Sequence, residues 1–320
     1  MFDVTLRYTN VWSAKGISEK SSDERNDVAV RILILGGSGM LGHRLWLNLS
    51  QAYETWVTVR GDGSEIPDVP EFPRQYIRPH VDALIFDQVA RALASIQPDW
   101  VINCIGLIKQ IPLAKDPLPS IALNALFPHQ LALICRAARI RMIHISTDCV
   151  FSGRKGQYVE SDQSDAQDLY GRTKFLGEVS YPHTVTLRTS IIGRELKSRL
   201  GLIEWFLAQK GTIRGYKKAI YTGLTTDELS HVILNHVLPR THLSGVYHVS
   251  SDPISKYDLL MLAKDAFDRD LTILPDTDFV CDRSLDSSRF RRITGYLPPA
   301  WSEMINELAN NSSLYDRSGG

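Results

Sequence analysis

Cysteine is scarce in this sequence, with 4 residues in 320, and no two of them form a C-x-x-C pair. Zinc fingers and disulfide frameworks need closely spaced cysteines, so neither is expected to organise this chain. An excess of one charge is also missing, because 36 basic residues balance 36 acidic ones. Nucleic-acid-binding domains carry a basic surface, and we therefore expect no nucleic-acid partner.

Long uninterrupted apolar runs are missing as well. A membrane-spanning helix needs about 18 consecutive apolar residues, and we find no run of that length. The first 30 residues also lack the apolar centre of a signal peptide. These absences predict a cytoplasmic protein without a membrane partner.

Short apolar segments alternate with amphipathic ones over the first part of the chain. The predicted strands cover 28–35, 55–60, 100–105, 142–146 and 185–188. The predicted helices cover 41–49, 89–96, 120–138 and 170–179. Such alternation is typical of right-handed βαβ units. The expected fold class is α/β, with a Rossmann-type, doubly wound parallel sheet.

The pattern becomes less regular after about residue 195. Helices are predicted at 202–209, 227–237 and 256–267, with short strands near 245–249 and 271–274. We interpret residues 29–195 as the sheet domain and residues 196–308 as mainly a smaller, mixed α/β substrate-binding lobe, free to interleave with the sheet domain. Residues 1–28 are polar and aperiodic and are expected to be a disordered extension. Residues 309–320 are expected to be a flexible tail.

A glycine-rich turn joins the first predicted strand to the first predicted helix. At such a junction the free N–H groups and the dipole of the helix can bind a pyrophosphate. Gly36 permits the tight turn, Gly39 lets a phosphate approach the backbone, and Gly42 lets the helix pack on the strand. The predicted cofactor-binding residues of this turn are Gly36, Ser38, Gly39, Met40, Leu41 and Gly42.

The second predicted strand ends at Arg60, where the adenosine ribose lies in this type of fold. An acid at that position favours NAD, whereas a base can bind the 2′-phosphate of NADP. We therefore predict that the domain over 29–195 binds NADP(H) in preference to NAD(H). Asp82 opens the next segment and is a candidate for binding the adenine amino group. Further cofactor-binding candidates are Ala83, Cys104, Ile105 and Gly106.

Tyr170 and Lys174 are four residues apart and therefore share one face of a predicted helix. A tyrosine whose pKa is about 10 is a poor acid at neutral pH, and an adjacent ammonium is expected to lower that pKa. Thr147 follows the strand over 142–146, at the edge of the sheet where ligands bind. We predict that Thr147 binds the carbonyl oxygen that Tyr170 protonates.

These motifs resemble the extended short-chain dehydrogenase/reductase superfamily. A closer resemblance, to the dTDP-4-dehydrorhamnose reductase family, rests on NCIG (103–106), STDCVFSG (146–153), YGRTKFLGE (170–178) and LRTS (187–190). The resemblance implies hydride transfer from a nicotinamide to C4 of a nucleotide-linked 4-keto-6-deoxy sugar, for surface polysaccharide synthesis. It implies that Thr147, Tyr170 and Lys174 are catalytic, and that Lys174 also binds the nicotinamide ribose.

The sequence departs from this family at three positions. Cys149 replaces the glutamate that related dehydratases carry after their Thr-Asp pair, which argues against dehydration. Ile191 replaces a substrate-contacting tryptophan of the rhamnose-forming reductases, so the sugar and its nucleotide (dTDP or UDP) stay open. Arg44 replaces the glutamate of a metal-linked dimer, so we expect no metal, and a homodimer stays open. With Thr147, the substrate-binding candidates are Asp148, Ile191 and Arg283.

Two other functions stay open. A sugar 4-epimerase of the same superfamily would recycle its cofactor instead of consuming it. A non-catalytic, NADP-binding regulatory subunit would have no use for an intact set of Thr147, Tyr170 and Lys174, so this set favours an enzyme.

Overall fold

The computed structural model describes residues 29–316, so the extension predicted over residues 1–28 lies outside the described residues. The strands within this range alternate with helices, as the sequence predicts. They are β1 (Arg31–Leu35), β2 (Glu54–Thr58), β3 (Ile77–Arg78), β4 (Trp100–Asn103), β5 (Arg141–Thr147), β6 (Thr184–Thr189), β7 (Ile191–Ile192), β8 (Gly211–Tyr221), β9 (Leu224–Thr225), β10 (Gly245–His248), β11 (Ile254–Ser255) and β12 (Leu271–Asp282).

The α-helices differ in length, and two of them continue into π-helical turns. They are α1 (Met40–Leu49), α2 (Phe86–Ile96), α3 (Pro117–Ser120), α4 (Phe127–Ala137), α5 (Leu169–Leu176), α6 (Leu202–Leu207), α7 (Thr226–Val232), α8 (Lys256–Ala266), α9 (Ser288–Thr294), α10 (Trp301–Asn310) and α11 (Ser313–Asp316). The π-helical turn Ile121–Leu126 connects α3 to α4, and Ile233–Val237 extends α7.

Seven parallel strands form the large sheet, in the order β10-β6-β5-β4-β1-β2-β3. The last four residues of β1, Ile32 to Leu35, are completely buried because helices cover both faces of the sheet. This arrangement confirms the predicted α/β fold with a Rossmann-type sheet. The strand order reverses between β1 and β4, and ligands of such sheets bind at the carboxyl ends of the strands beside that point.

One described segment, Pro117–Ala137, is long and apolar enough to cross a membrane by length and composition, with 21 residues and a mean hydropathy of 1.4. The sequence predicts no such segment, because polar residues interrupt its apolar run. In the structure half of it is buried. Phe127, Leu131 and Cys135 pack on the large sheet with at most 1% of their surface exposed. We therefore assign it as a core helix of the fold.

The second half of the chain forms most of a smaller lobe. Its main sheet has the order β11-β8-β12, in which β8 and β12 run parallel. The strand β8 and the helices α9 and α10 are not predicted from the sequence, and β12 extends well beyond the predicted strand. β10 leaves this half to join the large sheet beside β6. The bounds of the two predicted domains stay a prediction.

Part of the predicted flexible tail is helical in the structure. Residues up to Asp316 belong to α10 and α11, and residues 317–320 lie outside the described residues. His43 of α1, which is fully buried, lies 2.7 Å from the Tyr315 hydroxyl and 2.7 Å from the Gly39 carbonyl oxygen. The end of the chain therefore packs against the start of the first helix.

Candidate active site

The glycine-rich turn between β1 and α1 is held by close backbone contacts. Gly36 has a φ of +88°, a conformation that favours glycine. The Gly39 N–H donates to the Gly36 carbonyl oxygen over 3.1 Å. A Cβ at position 42 would lie 2.1 Å from the same oxygen, so Gly42 is required for α1 to pack on the turn. These are the roles that the sequence predicts for Gly36 and Gly42.

The N-terminus of α1 suits an anion. Its N-cap, Gly39, has no side chain to bind the free N–H groups, and no acidic residue stands in its first turn. Gly39 is exposed, and Ser38 and Met40 beside it are partly exposed, whereas Leu41 is buried in the core. Unpaired helical N–H groups together with the helix dipole favour a bound phosphate, so these residues fit the pyrophosphate of a dinucleotide.

The loop after β4 brings the predicted cofactor residues together with the predicted catalytic ones. A Cβ built on Gly36 would lie 3.2 Å from Ile105 Cγ1 and 3.6 Å from the Cys104 carbonyl carbon. A Cβ built on Gly106 would lie 3.8 Å from the Lys174 Nζ. The loop over residues 104–106 therefore reaches from the glycine-rich turn to α5.

The residues predicted to bind the adenosine end lie beyond β2 and β3. Arg60 is exposed, two residues past the end of β2. The Asp82 carboxylate accepts a 2.9 Å hydrogen bond from the Leu84 N–H, and Ala83 is buried. Their roles in cofactor binding stay predictions. The sequence reasoning missed Arg78, which pairs with the end of β2 and lies over the Trp56 ring at 4.2 Å.

Thr147 and Tyr170 meet at the carboxyl edge of the sheet. Thr147 is the last residue of β5, and Tyr170 is the second residue of α5, whose N-cap Asp168 accepts a 2.7 Å hydrogen bond from the Gly171 N–H. Burial is the largest effect on the Tyr170 phenol and raises its pKa, and the nearby Cys149 raises it further. A hydrogen bond with the Thr147 side chain acts in the opposite direction.

Lys174 lies one helical turn beyond Tyr170 and is almost fully buried. Its ammonium donates a 2.7 Å hydrogen bond to the Ile145 carbonyl oxygen. Burial lowers the pKa of Lys174 to about 8, while Glu178 and Cys104 raise it. The expectation that this ammonium lowers the pKa of Tyr170 is wrong in direction, because burial of the phenol dominates and the pKa is raised. The phenol is therefore protonated at neutral pH, as a proton donor must be.

A buried ion pair behind Lys174 was missed from the sequence. Glu178 accepts hydrogen bonds of 2.7 and 2.6 Å from Nε and Nη2 of Arg188, and both side chains are 5% exposed. Glu178 also accepts a 2.6 Å hydrogen bond from the Ser146 hydroxyl, next to Thr147. Both charged residues belong to motifs quoted above, YGRTKFLGE and LRTS. The pair joins α5 to β5 and β6 and so fixes the two elements that carry the candidate catalytic residues.

Two side chains of the second lobe, Arg283 and Tyr221, lie near Asp148. Arg283, just past β12, donates a 2.8 Å hydrogen bond from Nε to the Phe151 carbonyl oxygen and interacts electrostatically with Asp148. Tyr221, at the end of β8, is buried beside Asp148, and burial raises the pKa of its phenol. Tyr221 is not singled out from the sequence, so its place beside Asp148 was missed.

Ile191 is the remaining substrate-binding candidate. Ile191 is partly buried in β7, where it pairs with Leu224 of β9. Ile191 stays a prediction as a substrate contact.

Comparison with protein families assigns the chain. A family model described as RmlD substrate binding domain matches residues 30–313. The chain belongs to this RmlD family. The resemblance that the motifs predicted is thereby confirmed, and it extends over the second lobe as well as the sheet.

Individual relatives of this RmlD-family chain are distant. The chain is 30% identical over 173 residues to a dTDP-4-dehydrorhamnose reductase of Mycolicibacterium smegmatis, covering 52% of this chain and 47% of that protein. It therefore spans about half the length of that relative. It is 24% identical over 301 residues to the spore coat polysaccharide biosynthesis protein SpsK of Bacillus subtilis, covering 89% of this chain and 99% of that protein.

A solved structure shows the same fold. A dTDP-4-dehydrorhamnose reductase of Bacillus anthracis, solved in complex with NADP, superposes with a TM-score of 0.72 at 19% identity. The match covers 88% of this chain and 99% of that one. At this identity the likeness concerns the fold alone.

The structure shows the surroundings of two residues that depart from the family, Cys149 and Arg44. Burial raises the pKa of the Cys149 thiol to about 12, so the thiol is neutral and cannot act as the acid–base group of a dehydratase. Arg44 forms a buried ion pair with Asp227. Within residues 29–316 no group of three His, Cys, Asp or Glu side chains is placed to hold a metal ion.

Proposed function

We propose that this protein is an NADPH-dependent reductase that converts the 4-keto group of a nucleotide-linked 6-deoxy sugar to a hydroxyl, for the synthesis of a surface polysaccharide. The observation that carries the proposal is the meeting of Thr147, Tyr170 and Lys174 beside the glycine-rich turn. The family membership and the names of the two relatives agree with it.

The cofactor would lie along the carboxyl edge of the sheet. Its pyrophosphate would bind the turn over 36–42, its adenosine end would lie near Arg60, and Lys174 would donate to the nicotinamide ribose. Bound there, NADPH supplies the hydride for the carbonyl carbon. The base at Arg60 supports NADPH over NADH.

The chain's own side chains would handle the oxygen of the carbonyl group. Thr147 donates a hydrogen bond that orients this oxygen, and Tyr170 delivers the proton that turns it into a hydroxyl. The phenol is protonated at neutral pH, and the oxygen takes its proton as hydride transfer makes that oxygen basic. The Glu178–Arg188 pair holds β5 and α5 together, so the two hydroxyls keep their spacing.

The substrate would extend from this centre toward the second lobe. Arg283 is a cation at the edge of that lobe and interacts electrostatically with Asp148. Its guanidinium group suits the diphosphate of a nucleotide sugar. Binding energy from the distant diphosphate positions the keto carbon. A free 4-keto-6-deoxy sugar should therefore react at least about tenfold more slowly than its nucleotide-linked form.

Two alternatives are separated by the same assay. An epimerase would leave the NADPH concentration unchanged over many turnovers. A regulatory subunit would oxidise no NADPH with any sugar. The neutral Cys149 thiol argues against dehydration, because no acid–base group stands at that position.

The test is a panel of dTDP- and UDP-linked 4-keto sugars, with the free sugars beside them, followed by NADPH absorbance. We expect stoichiometric oxidation with at least one nucleotide-linked sugar. Equal rates for free and linked sugars would contradict the anchoring by the diphosphate, and no oxidation with any member would contradict the enzyme. The cytoplasmic location, the absence of a membrane partner and a homodimer stay predictions.

A further inference from the structure

A lysine that no motif singles out stands at the mouth of the candidate site. Lys109 follows β4, and its ammonium lies 2.8 Å from Oδ2 of Asp168. The same ammonium lies 5.6 Å from the centre of the Tyr170 ring. The two side chains of the ion pair are 36% and 47% exposed, so solvent and ligands reach both charges.

Lys109 and Arg283 reach this place from two different parts of the fold. Lys109 comes from the large sheet, and Arg283 comes from the second lobe. Both cations interact electrostatically with Asp168, and both interact with Cys149 next to Thr147. Two positive charges from separate parts of the fold therefore face one exposed carboxylate beside the candidate proton donor.

The ion pair between Lys109 and Asp168 is exchangeable. Exposed pairs contribute little to stability, because water screens the attraction and two flexible side chains must be ordered. An incoming anion with more than one charge would attract the ammonium more strongly than one carboxylate does. Asp168 would keep its hydrogen bond to the Gly171 N–H, so α5 would keep its N-cap when the lysine leaves.

The position also suits the shape of the proposed substrate. In a six-membered sugar ring, C1 and C4 lie at opposite ends. If C4 reacts beside the Tyr170 hydroxyl, the diphosphate on C1 lies about one ring's width away. The Lys109 ammonium lies 5.6 Å from the centre of the Tyr170 ring and is partly exposed, so its long side chain can reach a diphosphate carried by a sugar that reacts at Tyr170.

We propose that Lys109 is a binding residue for the diphosphate of the substrate, which it takes in exchange for Asp168, so that Lys109 and Arg283 hold the diphosphate between them. This inference rests on the proposed function for the identity of the substrate. Asp168 then acts as a competitor of the substrate, and removing its charge should strengthen binding. Removing the charge of Lys109 should therefore weaken diphosphate binding, whereas removing the charge of Asp168 should strengthen it. A purely structural ion pair would not give opposite effects, so the two variants separate the two roles.

The experiment compares Lys109→Met, Lys109→Arg and Asp168→Asn with the wild type. Asn is a good N-cap, so Asp168→Asn removes the charge and keeps the helix start. Lys115→Met, at an exposed lysine of the same loop, is the matched control. The readouts are kcat and KM for the reactive nucleotide sugar, and the Kd of dTDP and of UDP by calorimetry.

We expect Lys109→Met to raise KM and the diphosphate Kd roughly fivefold or more, with kcat changed less than about twofold. Lys109→Arg should restore most of the affinity, Asp168→Asn should lower both constants, and Lys115→Met should change neither. Unchanged constants in Lys109→Met would overturn the proposal, and so would weaker binding in Asp168→Asn.

The proposed function can fail separately. If the wild type oxidises NADPH and Lys109→Met has the same constants, the proposed reductase function is supported and the role of Lys109 is refuted. A wild type that reduces no sugar, yet binds dTDP or UDP through Lys109, would refute the reductase and support the binding site. A wild type that binds neither diphosphate would refute the role of Lys109.

Discussion

The two halves of the molecule contribute different kinds of residue to the candidate site. The large sheet contributes the glycine-rich turn, Thr147 and the Tyr170–Lys174 face, which are short motifs at the ends of consecutive elements. The second lobe contributes Arg283 and Tyr221, which arrive at the site only because β8 pairs with β12. Under the proposed function, the sheet half would perform the chemistry and hold the cofactor, whereas the lobe would position the substrate.

The largest expected effect separates two phenols that both lie beside Asp148, those of Tyr170 and Tyr221. Tyr170→Phe should lower kcat roughly 10²–10⁴-fold, because it removes the proton donor and keeps the ring. Tyr221→Phe, on the lobe, should change kcat less than about tenfold. Thermal unfolding of both variants should show folded protein. A comparable loss in the two variants would mean that the division of labour between the halves is wrong.

A second contrast uses two glycines in crowded places. A Cβ at Gly42 would lie 2.1 Å from the Gly36 carbonyl oxygen, and a Cβ at Gly215 of β8 would lie 2.9 Å from Tyr257 Cα. Alanine at either position should cost about 1–3 kcal/mol of unfolding free energy. Only Gly42→Ala should also weaken NADPH binding, by roughly tenfold or more, because the substitution moves the turn that would hold the pyrophosphate.

Titration of NADPH into both variants, followed by fluorescence, measures this difference. Gly61→Ala is the control, since its Cβ would come no closer than 3.5 Å to any neighbour. Equal cofactor affinity in Gly42→Ala and Gly215→Ala would show that the turn does not hold the pyrophosphate.

The same contrast explains what the sequence could predict. The parallel sheet was predictable because strands such as β1 and β4 are short, largely apolar and buried, and because Gly42 and the Tyr170–Lys174 spacing carry their geometry locally. The strand β8 was not, because much of it is exposed and polar, and its partner β12 lies far along the chain. Lys109 gave no signal, since only the folded chain brings it to Asp168.

A smaller effect is expected at the adenosine end of the cofactor. Arg60→Asp should weaken NADPH binding roughly tenfold and leave the NADH affinity nearly unchanged. The reason is that an exposed cation is replaced by a negative charge that repels the 2′-phosphate. Arg214→Asp, on β8 of the lobe with its side chain 74% exposed, should alter neither affinity. Titrations of both cofactors decide this. A wild type that prefers NADH would contradict the role of Arg60.

The effect that is smallest at neutral pH is a pH dependence that belongs to the sheet half alone. Burial lowers the pKa of Lys174 to about 8, so its ammonium is charged below that pH and is lost as the pH rises through it. The groups that face it do not titrate in this range: the pKa of Cys104 is raised to about 12, and that of His144 is far below its ordinary value. The Glu178 carboxylate is paired with Arg188.

The kcat/KM for NADPH should therefore fall to about half its plateau near pH 8 and by roughly tenfold for each further pH unit, since neutral Lys174 cannot hold the nicotinamide ribose in the same way. Tyr170 stays protonated over this range because its pKa is raised, so the proton donor does not contribute to the decline. Arg283→Met, in the lobe, should raise KM for the sugar and leave the midpoint unchanged. Rates measured between pH 6 and 10 at saturating sugar give the midpoint. A flat profile up to pH 9.5 would mean that the ammonium is not needed, and a midpoint moved by Arg283→Met would place the titrating group at the lobe.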